Sequence, residues 1–146
     1  MERTAKFRGY SKELKAWIYG AYFYNRNELD EDFIINNAVG LDKVEHFTGV
    51  RVENKSVGEF TGLKDKNGKE IYEGDILERS ESLEMDGKPL NMKGVKRYSK
   101  VIFKDGRWQL KAGKRSRGKN LFGGVVRQFG LCVVGDIYNN PELLTN

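Results

Sequence analysis

One cysteine, one histidine and two prolines among 146 residues each exclude a class of chemistry. A lone Cys132 forms no intramolecular disulfide, which points to a reducing, cytoplasmic compartment. His46 leaves no pair of imidazoles and no Cys–His cluster for a zinc site, and no Ser-His-Asp or Cys-His pair unless it serves itself. Set in Val44-Glu45-His46-Phe47-Thr48, it reads as a surface or packing residue, and Cys132, inside an apolar run, as core filling. No run approaches the ~18 apolar residues of a membrane span, and Met1–Lys6 has no apolar stretch behind a basic start, so neither a span nor a signal peptide is expected. No G-x-x-x-x-G-K-S/T spacing is present to cradle a phosphate. No catalytic residue, cofactor or metal is assigned, and an enzyme is not expected.

Acid is also scarce in one place. From Met1 to Gly87 there are 13 Lys/Arg against 18 Asp/Glu, a net of −5. From Lys88 to Arg127 there are 13 Lys/Arg and a single acid, Asp105, a net of +12. The remaining residues carry two acids and no base, which brings the whole chain to +5. An acidic body with a basic third quarter is the most informative global feature.

What is abundant is glycine, 17 residues, with 12% aromatics. Together with the short β-branched and aromatic runs this predicts many turns and a mainly β, β-dominated α+β domain. Lys6–Tyr10 and Ala16–Gly20 read as a hairpin. Asn27–Asp32 reads either as a short helix capped by Asn27 or as an acidic loop, Phe33–Ile35 as a short strand and Asp42–Phe47 as a helical turn. Gly49–Val52 and Ser56–Leu63 read as strands. Asn67-Gly68 is expected to form a two-residue type I′ turn, which requires positive φ at both positions. Gly74–Leu77 starts a further strand, and Ser80–Lys93 is an exposed excursion. Tyr98–Phe103 and Arg107–Leu110 form a second hairpin across Lys104-Asp105-Gly106. The continuous apolar start of Leu131–Tyr138 predicts a strand buried on both faces. Asn140 caps a terminal turn opened by Pro141. At this length one domain, 1–146, is the default, with a possible subdivision into 1–57 and 58–146. A small barrel would remove the exposed edges of so many short strands.

Gly58-Glu59-Phe60-Thr61-Gly62-Leu63-Lys64-Asp65-Lys66-Asn67-Gly68-Lys69-Glu70-Ile71-Tyr72-Glu73-Gly74-Asp75-Ile76 closely resembles the central signature of the YopX-like family of phage and prophage proteins. Lys6–Tyr10 with Trp17–Gly20 resembles the family's opening and Val134–Leu144 its ending, so the resemblance spans the chain. It implies a phage or prophage protein, largely β, with a small SH3-like barrel in the C-terminal part and assembly into homo-oligomers. It carries over no catalytic residue. The Ser80–Lys93 excursion and the Lys111–Asn120 loop are longer or more charged than the family pattern.

Two constellations remain. Asp65, Glu70, Glu73 and Asp75 offer a carboxylate pair or a cation site on one reading, and turn residues bonding their own backbone on the other; the turn chemistry around them favours the second. The basic quarter is the functional candidate. Lys96, Arg97, Lys100, Lys111, Lys114, Arg115, Arg117, Lys119 and Arg127 supply cations for phosphates, and Trp108 an aromatic face on which bases stack. Three readings stand side by side: a nucleic-acid surface, a solvated face, and docking on an acidic host protein or on the acidic region of a second copy.

Overall fold

The computed structural model describes residues 6–25, 31–35, 49–80, 84–85, 88–89, 96–113 and 116–145. The sequence readings on Asn27–Asp30, on Asp42–Phe47 including His46, and on Lys114 and Arg115 lie outside them. Strand residues far outnumber helical ones, as the turn-rich, β-branched sequence predicts. Among the described residues no helix is long and apolar enough to cross a membrane. The chain divides into two compact units, Met1–Phe60 and Thr61–Asn146.

The first unit is an antiparallel sheet of β1 (Phe7–Ser11), β2 (Ala16–Asn25), β3 (Glu31–Ile35) and β4 (Gly49–Val52), with the start of β5 (Gly58–Lys64) paired to β1. The sheet curls until strands at a distance in its order meet. A Cβ built on Gly9 of β1 would lie 2.7 Å from Val52 Cβ of β4, so only glycine fits there. The Glu53 N–H then donates to the Tyr10 carbonyl at 2.9 Å, and the Tyr10 N–H to Ser56 Oγ at 2.7 Å. Ile34, Val52, Ser11 and Asp32 fill the small interior, and Tyr22 donates its hydroxyl proton to Asp32 Oδ1 at 2.7 Å.

In the second unit, β5 turns into β6 (Glu70–Tyr72), and a five-stranded antiparallel sheet follows. Its strands are β7 (Asp75–Ser80), β10 (Lys96–Lys104), β11 (Arg107–Lys111), β12 (Lys119–Asn120) and β13 (Cys132–Asp136), in the order β12-β11-β10-β7-β13. A two-residue pair, β8 (Glu84–Met85) and β9 (Lys88–Pro89), lies within the excursion after β7. The helix α1 (Gly123–Gln128) precedes β13, and a 3₁₀ turn, Pro141–Leu144, follows it. Ile71, Leu77, Val101, Leu121, Val126 and Leu131 make the core, each contributing about 1.5–3 kcal/mol by leaving water.

Four expectations change. The described pairings do not return from β13 to β12, so they close no barrel in this unit. The outer edge of β13 is taken by the β5–β6 turn instead: the Lys66 N–H donates to the Leu131 carbonyl at 3.0 Å and the Val133 N–H to Asp65 Oδ2 at 2.9 Å. β13 is therefore an edge strand rather than one buried on both faces, with a bulge between Val133 and Gly135 that leaves Val134 exposed. Asn67-Gly68 is not a type I′ turn. Only Gly68 takes positive φ, +82°, in a three-residue loop whose Gly68 N–H donates to the Asp65 carbonyl at 3.0 Å. The type I′ conformation sits at Asp105 (φ 53°) and Gly106 (φ 73°), between Lys104 and Arg107, which are paired. Finally, Asn140 does not cap the terminal turn with its side chain; its Oδ1 accepts the Asp136 N–H at 3.4 Å.

A Cβ built on Gly68 meets nothing within 4 Å, so substitution there costs backbone strain alone. Gly68→Val is expected to lower the unfolding free energy by about 1–2 kcal/mol, because a β-branched residue resists the left-handed region. A urea midpoint indistinguishable from wild type would contradict the turn geometry.

Candidate nucleic-acid interface

Cations meet cations across the second sheet. The register sets Arg97 directly opposite Arg79, Lys100 opposite Lys111 and Lys104 opposite Arg107. Like charges facing each other across neighbouring strands are unfavourable taken as pairs. Side chains alternate along a strand, which splits these pairs between two faces. Lys96, Lys100 and Lys104 point to one side of β10, and Arg97 points to the other with Ser99 and the core residue Val101.

On Arg97's side the core surface continues into a cleft of about 210 Å³. Leu77, Leu110, Val125, Phe129 and Leu131 give it an apolar floor, and Arg79, Arg97 and Lys119 bring three cations to its lining, which holds no carboxylate among the described residues. Lys119 arrives because β12 pairs it with Leu110, and residues opposite each other share a face. The Arg79 guanidinium lies 3.8 Å from the centroid of the Phe129 ring, a cation–π contact that holds its plane over the aromatic face. Phe129 is placed there by the end of α1, where its N–H donates to the Val125 carbonyl at 3.1 Å.

Arg97 also lines a second, wider cleft of about 610 Å³ with Lys96, Tyr98, Gly113, Leu143 and Leu144. Lys96 shares its charge there with Glu78, 3.1 Å away; that hydrogen bond and the carboxylate's charge raise the ammonium pKa, so it stays cationic at neutral pH.

The structure brings together two of the cations singled out in the sequence, Arg97 and Lys119, in one cleft, and Lys96 with Arg97 in the other. Lys100 and Lys111 pair on the opposite face. Trp108 is half-buried, packed on the core and edge-on to Phe103 at 4.9 Å. Arg117 and Arg127 are exposed, the latter on α1. Arg79 and Phe129 are missed by sequence reasoning. Arg79 stands in the acidic body, eighteen positions from its partner, and its one signal is the alternation Leu77-x-Arg79 on a strand whose apolar face is buried.

The carboxylates of the central motif work on the backbone. Asp65 Oδ1 accepts the N–H groups of Asn67 and Lys69 at 2.8 and 2.9 Å, and its Oδ2 that of Val133. Asp75 Oδ2 accepts the buried Tyr72 N–H at 2.8 Å, and Glu70 accepts the Tyr72 hydroxyl proton at 2.8 Å. Among the described residues no three His, Cys, Asp or Glu side chains group as a metal site would require.

The family model described as YopX protein matches residues 6–145. The chain is similar in fold to a solved structure, the crystal structure of protein EF1440 from Enterococcus faecalis. The two share 23% identity at a TM-score of 0.57, over 98% of this chain and 99% of the other. No curated protein matches the chain.

Proposed function

We infer that this chain, which belongs to the YopX protein family, is a non-enzymatic phage or prophage accessory module that acts in the host cytoplasm and holds nucleic acid on its basic surface. The observation that carries this reading is the Arg79–Arg97 pair: two guanidinium groups set opposite each other, beside Lys119, over an apolar floor. Such an arrangement supplies phosphate contacts beside a surface on which a base can lie.

The test is fluorescence anisotropy with labelled single- and double-stranded oligonucleotides across a salt series. Binding should be nearly independent of sequence, and its log–log salt slope should be about −0.7 per phosphate neutralised on single strands, hence about −2 for three cations. Absence of binding on the order of 50 mM salt with tens of micromolar protein would end this reading and leave the surface to an acidic protein partner.

Self-association is a second reading, favoured by β2. On one side of that strand Tyr19 and Phe23 are exposed, Phe23 by 53%, and exposed aromatic surface is typical of contact sites. Light scattering at micromolar concentration should find a homo-oligomer that persists in high salt, because an apolar interface is not screened. A monomeric mass at low and high salt removes it.

A further inference from the structure

We propose that the smaller cleft is a subsite for one unpaired base of a single strand, which makes the module selective for single-stranded over duplex nucleic acid; the proposal rests on the phosphate-binding reading and deepens it. Size comes first. At about 210 Å³ the cleft falls below the ~300–1,000 Å³ of pockets that enclose drug-sized ligands, so it suits a small guest. Chemistry comes second. One face of the Arg79 guanidinium is stacked on Phe129 at 3.8 Å, and unstacked bases are held on arginine planes and aromatic rings of this kind. Leu110 supplies apolar floor beneath the guest, and Ser99, on the Arg97 side of β10, brings a hydroxyl that can donate or accept to the same lining. Charge comes third. Arg97 and Lys119 share that lining, where the phosphates flanking a splayed base would need cations. A base inside a duplex is stacked on both faces and cannot enter; a base on a single strand can.

Ala112 allows a clean test. It is exposed, it touches the lining of both clefts and it takes no part in the core, so Ala112→Trp blocks the site from the rim. Anisotropy is measured with a single-stranded 12-mer, the same 12-mer made abasic, and a 12-base-pair duplex. Wild type should bind the natural strand about tenfold or more tighter than the abasic one, the worth of one base stack. Ala112→Trp, with an unchanged melting temperature, should abolish that difference. Equal affinity of wild type for natural and abasic strands overturns the base subsite while the phosphate reading stands. So does an Ala112→Trp protein that still discriminates between them. Failure of wild type to bind any of the three probes overturns both.

Discussion

Asp65→Ala is expected to lower the unfolding free energy by about 3–5 kcal/mol. Asp65 is 6% exposed, and its carboxylate accepts three backbone N–H groups at once, those of Asn67, Lys69 and Val133. Asn67 and Lys69 lie on the exposed turn, where water can replace part of what the substitution removes. Val133 is half-buried, and its N–H is left without that acceptor. Hydrogen bonds to a charged acceptor contribute about 1.5–3 kcal/mol each, and an orphaned buried donor costs about 1–3 kcal/mol. Against a total stability of about 5–15 kcal/mol, this brings the protein close to unfolding at ambient temperature. Asp65→Asn should retain part of the loss: one amide oxygen can serve the turn, but the NH₂ group then faces the Val133 N–H, donor against donor. Urea unfolding at constant m-value measures both. A drop below about 1 kcal/mol for Asp65→Ala would mean that the β5–β6 turn is not pinned to β13.

Asp65 also marks where the sequence was legible and where it was not. The hairpins at residues 7–25 and 96–111 follow from alternation and from turn residues, which are local signals, and the structure has them. The exchange of turn types is a local failure with a local cause. Asn-Gly favours a two-residue turn until an aspartate two positions earlier captures the Asn67 and Lys69 N–H groups and widens the loop. The misreading of β13 has a distant cause. Leu131-Cys132-Val133-Val134 is apolar enough for an interior strand, but its outer N–H and C=O groups are satisfied by Asp65 and Lys66, and no pattern within the strand announces a partner 68 positions away. The candidate site was legible by half. Charge counting finds Arg97 and Lys119. It cannot find Arg79, because which cation stands opposite which is a property of register, and register is settled by core packing and turn length together.

The same register argument makes the double substitution Arg97→Thr with Lys119→Thr separate binding from folding. Both residues are exposed on strands, and threonine is a good strand former, so the backbone should keep its pairings. Exposed strand positions tolerate such changes within about 0.5 kcal/mol, so stability should hold. Binding should move the other way. With two fewer phosphates neutralised on a single strand, the log–log salt slope becomes shallower by about 1.4. With the electrostatic contribution vanishing near 1 M salt, that change corresponds to about 60-fold weaker binding at about 0.05 M. A structural role for these two cations predicts the opposite combination, a lower melting temperature and an unchanged slope. A fall in affinity with no change in slope would place the phosphates elsewhere, on Lys100, Lys111 and the opposite face of the sheet. Measured together, the melting temperature and the salt series therefore distinguish a ligand surface from a scaffold on one variant.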